Sequence, residues 1–400
     1  MKLCFVHEGF GTFGGAEGNV RQTAGELSRR GHSLGLIHGP ALEQDQDASP
    51  HTFSRCFELG KNHNRGQVEA ALKDFNPDLV YVHRMTDLEV VETLVASETP
   101  RVRMVHDHDI YCMRSYKYHY FSRKICTRRA SPYCVFPCGA SIGRSHNRRF
   151  PIKWVSYKAK KREISLNQRF QRLVVYSEYS RKELLSNGFD GAKIEIHVPI
   201  QSEEADSMQS SFSDRNLLLF VGQVIRGKGV DVLLDSLAMI KTPFECLIIG
   251  EGSHRAYCEK RCRKLGLENR VRFTGFIPQH ELKKYYPECS VLAMSSVWPE
   301  PFGMVGPEAM RFGIPVVAFD VGGIREWLKD GFNGYLVPWM DRAAFAARIE
   351  ELLINKKLGR QMGEHGRRWV AQTYDFRTYI TGLERMFMQV ILEKQQGILQ

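Results

Sequence analysis

The sequence predicts an α/β protein of two domains, each a parallel sheet covered by helices on both faces. Short β-rich runs alternate with helical stretches through both halves. A polar segment rich in Ser, Asp and Glu, Gln201–Arg215, separates the halves as a linker. Each half opens with an apolar run followed by a Gly-rich loop and a helical stretch. A length of 400 residues suits two domains of ordinary size.

In the first half, Leu3–His7 reads as a strand, Gly15–Arg30 as a helix ending at Gly31, and Ser33–His38 as the next strand. Leu79–His83, Arg101–His106 and Leu173–Ser177 are further short β-rich runs. In the second half, Leu217–Gly222 reads as a strand and Gly229–Ile240 as a helix. Cys246–Gly250, Val271–Gly275, Val291–Ser295 and Pro315–Phe319 follow as strands. After Asp341 the pattern is largely helical. The expected organisation is a first domain over 1–200, the linker 201–215, a second domain over 216–372, and a C-terminal helix over 373–400 returning toward the first domain. A basic, Cys-containing insertion spans about 108–172.

A hydrophobic content of 43% with 25% charged residues belongs to a globular chain, and no apolar run approaches the roughly 20 residues that span a bilayer. The N-terminus, MKLCFVHEGF, lacks the zones of a signal peptide, so a cytoplasmic location is expected. The net charge of +11 favours anionic partners. Between Arg144 and Arg172 lie ten Lys or Arg and one acid, Glu163, with Phe150, Trp154 and Tyr157 interleaved. That segment reads either as a solvated helix face or as a patch for an anionic membrane surface, which would make the protein peripheral to the membrane. No nucleic-acid-binding motif accompanies it, so nucleic acid is not an expected partner.

Three loops are candidates for phosphate binding. Gly9-Phe10-Gly11-Thr12-Phe13-Gly14 matches G-x-G-x-x-G after a strand, which alone suggests a dinucleotide site. The next strand ends Leu36-Ile37-His38-Gly39, without the acid that would hold a ribose hydroxyl. The remaining readings are a tight turn, or close approach of Gly14 and Gly15 to a phosphate. In the second half, Gly222-Gln223-Val224-Ile225-Arg226-Gly227-Lys228-Gly229 is a basic loop after a strand, where Arg226 and Lys228 would oppose a diphosphate. Further on, Glu300 and Glu308 stand eight positions apart around the loop Gly303-Met304-Val305, with Pro307 in the first turn of a helix. Carboxylates on both sides of an anion-binding loop suit a ligand with hydroxyls on both sides of its phosphates, as in a nucleotide-sugar.

With the Gly14-Gly15-Ala16-Glu17 turn, the loop through Lys228-Gly229, Ile249-Gly250-Glu251-Gly252, Val271–Phe276, the Glu300/Glu308 pair and Gly322-Gly323, the chain resembles the retaining glycosyltransferases of family 4 over nearly its whole length. The resemblance implies the GT-B fold, two Rossmann-like domains whose parallel sheets face an interdomain cleft. It implies transfer of a hexose from a nucleoside diphosphate sugar to a carbohydrate or lipid-linked acceptor in polysaccharide or glycolipid assembly. The resemblance does not give the nucleobase; a UDP-sugar is expected first and GDP-mannose next because they are the commoner donors. By the same resemblance Glu300 holds hydroxyls of the moving sugar, Glu308 the ribose, and Gly303, Met304 and Val305 the diphosphate and sugar. Phe276 falls where the nucleobase is read, Lys228 meets the diphosphate, His106 lies near the transferred sugar, and Asp107 is implied as an acceptor contact. The chain departs from the family twice. Gln223 stands where Arg is usual, leaving Arg226 as its substitute, and Val198-Pro199-Ile200-Gln201 lacks the usual Asn-Gly hinge. No cofactor is required in this scheme.

Four of the ten cysteines, Cys112, Cys126, Cys134 and Cys138, fall in the basic insertion. They read as reduced thiols or as a structural zinc site that orders the loop, although the tight C-x2-C pair is absent. Two other activities fit the same architecture: a sugar-nucleotide 2-epimerase, and a catalytically silent sugar-nucleotide-binding protein.

Overall fold

The computed structural model describes residues 1–9, 15–40, 52–60, 63–144, 152–200 and 212–397. The chain forms two compact units. The first comprises Met1–Lys117, Thr127–Pro199 and Arg377–Gln400, and the second Tyr118–Cys126 and Ile200–Phe376. Residues 118–126, expected with the first domain, thus fold with the second. Most of the expected linker, residues 201–211, lies outside the described residues.

The first unit is built from β1 (Lys2–His7), α1 (Gly15–Arg29), β2 (Ser33–His38), β3 (Arg55–Glu58), α2 (Arg65–Phe75), β4 (Leu79–Val82), α3 (Leu88–Ala96) and β5 (Arg101–Met104). A small hairpin, β6 (Ile142–Arg144) and β7 (Ile152–Trp154), is followed by α4 (Tyr157–Asn167), β8 (Arg172–Val175), α5 (Glu178–Ser186) and β9 (Ile194–Ile196). Seven of these strands form one sheet in the order β3-β2-β1-β4-β5-β8-β9, every pair parallel. Its central strands, β4 and β5, are buried at every position, as expected of a sheet covered on both faces. Cys4, Val6, Val80 and Val82 pack on one side with Val68 and Phe75 of α2 and Val90, Val91 and Leu94 of α3.

The second unit runs β10 (Leu217–Val221), α6 (Val230–Leu237), β11 (Glu245–Ile249), α7 (Arg255–Lys264), β12 (Val271–Gly275), the single turn α8 (Gln279–Leu282) and β13 (Val291–Met294). It continues with α9 (Val305–Arg311), β14 (Val316–Phe319), β15 (Gly334–Val337), α10 (Arg342–Ile354) and α11 (Lys356–Thr373). The sheet order is β12-β11-β10-β13-β14-β15, again entirely parallel. The last helix, α12 (Phe376–Gln395), packs within the first unit through Tyr379 Oη on Thr23 at 3.2 Å, Arg30 on Glu384 at 2.6 Å and the Phe387 ring on Tyr81 at 5.0 Å.

Both sheets reverse their winding beside their first strand. In the second unit the chain leaves β10 toward β11 on one side, and β13 starts the other side. The loops after β10 and β13 therefore diverge and leave a crevice at the carboxyl ends of these two strands, where ligands bind in open α/β sheets. In the first unit the corresponding place lies between β1 and β4.

Candidate active site

The loops that follow β10 and β13 carry the charges singled out by sequence, and the structure joins them. Val297 N and Trp298 N donate to Gly227 O at 2.8 and 3.2 Å, and Ser295 Oγ donates to Lys228 O at 3.1 Å. This fixes the β10 loop so that Lys228 Nζ lies 2.7 Å from Glu300 Oε1. Ser296 Oγ donates to the same carboxylate oxygen. Glu300 is only 3% exposed. Burial by itself would raise its pKa, but the Lys228 ammonium and the hydrogen bonds from Lys228, Ser296 and Trp298 outweigh it and hold the carboxyl below its ordinary range. The Lys228 ammonium also sits 5.1 Å from the centre of the Trp298 ring.

Around Glu300 the backbone is crowded. Gly323 N donates to Glu300 O at 2.8 Å, and a side-chain carbon on Gly322 would lie 2.1 Å from that oxygen, so only glycine fits there. The loop between the two glutamates is buttressed by Trp327. Its ring is fully buried and its Nε1 donates to Phe302 O at 2.6 Å. The ring edge fills the space over Gly306, where an added carbon would fall 2.0 Å from it. Gly303, at φ +83°, turns the chain into α9, and Pro307 falls in the first turn of that helix. Met304 immediately precedes the helix and Val305 begins it. Glu308 keeps some contact with solvent, yet burial pushes its pKa up to about 7, opposed by Lys283. The two glutamates are thus in opposite electrostatic states, one held ionised by its neighbours and one pushed toward its neutral form.

The other residues expected to meet a donor are placed as follows. Gln223 is exposed on the loop after β10. The Arg226 guanidinium lies 4.8 Å over the Tyr120 ring and donates to Phe121 O at 3.3 Å. Phe276, 42% exposed, follows Gly275 at the end of β12. Gly15 begins α1, while Gly14 lies outside the described residues.

In the first unit a row of rings runs along the carboxyl edge of the sheet. His7 ends β1, His83 follows β4, His106 follows β5 and Tyr176 follows β8, so four adjacent strands each contribute one. His83 Nδ1 lies 3.0 Å from His106 Nε2, and Tyr176 Oη lies 2.6 Å from His106 Nδ1. Both nitrogens of His106 are therefore engaged within this row. Burial, with repulsion from charged neighbours, lowers the pKa of His7 to about 4 and of His106 to about 3, and that of His83 well below its ordinary value, so all three rings are neutral near pH 7. Asp107, beside His106, accepts from Asp109 N at 2.7 Å. Burial and the Asp109 carboxylate raise its pKa well above the usual carboxylate range.

The structure does not bring the cysteine quartet together as a group. Among the described residues no three His, Cys, Asp or Glu side chains are grouped to hold a metal ion. Cys126 folds with the second unit, and Cys112 packs against the apolar cluster of Val105, Ile110 and Leu173. Sequence spacing gave no view of where these cysteines pack. It also missed Ser296, Trp327, His83 and Tyr176, none of which belongs to a motif. The position of His83 at the end of an apolar run was the one available signal for it.

Residues 201–369 match the family described as glycosyl transferases group 1, and residues 13–197 match Glycosyltransferase Family 4. The chain belongs to glycosyltransferase family 4. A family relative, an uncharacterized glycosyltransferase of Methanocaldococcus jannaschii, is 34% identical over 40% of this chain and 42% of its own length. The D-inositol 3-phosphate glycosyltransferase of Frankia alni is 31% identical over 41% of this chain and 43% of its own length. The chain thus spans less than half the length of these two curated relatives. Among solved structures, Anabaena HepE in complex with UDP and glucose superposes with a TM-score of 0.74 at 19% identity, covering 97% of this chain and 100% of that one. Sucrose-phosphate synthase from Thermosynechococcus elongatus gives 0.71 at 18% identity, covering 98% and 99%. These neighbours establish the GT-B fold for this family member.

Proposed function

We propose that the protein transfers a hexose from a nucleoside diphosphate sugar, a UDP-sugar in the first instance, to an acceptor hydroxyl with retention of anomeric configuration. The Lys228–Glu300 pair at the winding reversal of the second sheet carries this reading. It puts a cation for a diphosphate and a carboxylate for sugar hydroxyls within one hydrogen bond of each other. Glu308, one loop away, suits the ribose hydroxyls. HepE, which shares the fold, is seen in complex with UDP and glucose, and this favours uridine as the base.

In the proposed step the bond from the anomeric carbon to the departing phosphate oxygen breaks and the acceptor oxygen bonds the same face of that carbon. The acceptor proton passes to the departing phosphate. Lys228 then stabilises the charge that grows on the phosphate, and Glu300 orients the sugar. Arg226, held by Tyr120 and Phe121, is not counted among the phosphate cations. A double displacement through Glu300 is not favoured, since on this reading its would-be acid partner, Glu308, serves the ribose and not the scissile bond.

Incubation with UDP-glucose, UDP-N-acetylglucosamine and GDP-mannose, with NMR observation of the anomeric proton, tests this reading. Donor should be consumed and the product should keep the donor's configuration. Glu300→Gln should fold normally and lose at least about two orders of magnitude in turnover, on the scale of removing one preorganised transition-state contact. Near-normal turnover in that variant would remove Glu300 from the role.

The acceptor side of the proposal is a lipid-linked or carbohydrate hydroxyl at an anionic membrane surface. Within the first unit, Phe136 and Trp154 are 84% and 75% exposed, and Lys158, Lys161 and Arg162 are exposed on α4. Aromatic side chains beside cations suit a headgroup region. No described helix is long and apolar enough to cross a membrane.

A further inference from the structure

Residues Tyr118–Cys126 interrupt the sequence of the first unit yet fold with the second. A bridge between Tyr118 and Ile125, and hydrogen bonds from His119 N to Lys124 O and from Arg123 N to His119 O, both 2.9 Å, close them into a tight hairpin. Arg123 anchors it. The side chain is buried, and its Nη1 and Nη2 donate to the two carboxylate oxygens of Asp231, in the first turn of α6, at 3.1 and 2.7 Å. A forked guanidinium–carboxylate pair fixes direction as well as distance. Below this anchor the hairpin lies on the turn Arg226-Gly227-Lys228. The Tyr118 ring passes 3.3 Å from where a side-chain carbon on Gly227 would sit. Tyr120 stacks under the Arg226 guanidinium, and Phe121 O accepts from it. The next residue but one in the turn is Lys228, paired with Glu300.

We propose that the hairpin Tyr118–Cys126 is a positioning element of the donor site, holding the Arg226-Gly227-Lys228 turn so that Lys228 stays aimed at Glu300 and at the diphosphate. This rests on the nucleotide-sugar reading of the site. Two contacts clamp the turn from one side, the Tyr118 ring on Gly227 and the Tyr120 stack on Arg226. The hydrogen bonds from Val297 and Trp298 to Gly227 O hold the same turn through its backbone. With the hairpin loosened, Lys228 gains rotamer freedom that must be lost again on binding, so nucleotide affinity falls without loss of the fold.

The test measures binding of UDP, GDP and ADP by calorimetry, with melting temperature in parallel, on the full chain and its variants. For the nucleotide that wild type binds, Arg123→Ala is expected to weaken affinity about tenfold, equivalent to ~1.4 kcal/mol. The reversed pair, Arg123→Asp with Asp231→Arg, is expected to recover part of that loss. Tyr120→Ala leaves the buried anchor in place and is expected to weaken affinity with an unchanged melting temperature, which a role confined to folding would not produce. Lys124→Ala, at an exposed position of the hairpin, should bind as wild type does. Wild-type affinity in both Arg123→Ala and Tyr120→Ala overturns the proposal. A wild-type chain that binds none of the three nucleotides removes the nucleotide-sugar reading itself, and the proposal with it.

Discussion

Glu308 and Glu300 show how much of a site is set by single neighbours. Glu300 meets an ammonium and a hydroxyl, whereas burial leaves Glu308 with a pKa of about 7. The native Glu308 binds its proton more tightly than an unfolded chain does, so stability falls as pH rises from the ordinary glutamate range through 7 and stays lower above it. Glu308→Gln should therefore be more stable than wild type at pH 8 by roughly 1–3 kcal/mol, and nearly equal to it at pH 4. Urea melts at both pH values check this, and a stability difference that does not change with pH contradicts it. The residue types of the candidate site were legible in sequence, because glycines and a proline mark the loops of Lys228 and Glu300 and the first turn of α9, where Glu308 stands. Their partners were not. The Lys228–Glu300 bond spans 72 positions, and Trp327 reaches Phe302 across 25. Such contacts depend on which strands are neighbours, and periodicity does not report that. Arg226 is the sharpest case. In sequence it is a second cation beside Lys228, and in space an aromatic ring and a carbonyl hold it.

At the scale of elements, the apolar runs that make central strands were read to within a residue or two. β2 agrees with its expected ends, and β1 begins one residue earlier. Strands buried on both faces have nearly continuous runs of Val, Ile and Leu, and such runs stand out. The strands that went unread are short or at sheet edges. β3 is four residues, none of them buried, β9 is three residues, and β15 ends the other sheet. A strand covered on one side only, or for only one turn of the pleat, carries too little apolar signal to stand out from a loop. The hairpin at Tyr118–Cys126 was hidden for another reason. Its composition is that of the basic insertion around it, and its allegiance to the second unit rests on long-range contacts, Arg123 with Asp231 and Tyr120 and Phe121 with Arg226.

For the molecule as a whole, a net charge of +11 should act at a distance on an anionic surface. Sedimentation with vesicles tests the proposed membrane face. Binding is expected with roughly 30% phosphatidylglycerol in phosphatidylcholine, a composition that gives a negative surface potential, and little with phosphatidylcholine alone. It should weaken as salt shortens the range of the attraction, and drop further in a Phe136→Ser, Trp154→Ser double variant. Equal binding to both kinds of vesicle would sink the membrane face. The resting ion pair between Lys228 and Glu300 has a different consequence, for turnover. A spent carrier such as UDP can draw Lys228 to its phosphates but offers no hexose hydroxyls, and so leaves a buried carboxylate without its cation, which is costly. The loaded carrier satisfies both groups at once. On the proposed function the pair thus acts as a checkpoint against product, tilting occupancy toward fresh substrate. UDP-glucose should bind more tightly than UDP to the wild type, and that preference should shrink in Glu300→Gln, where no charge is left to strand. A preference that survives intact would mean that the sugar is read elsewhere.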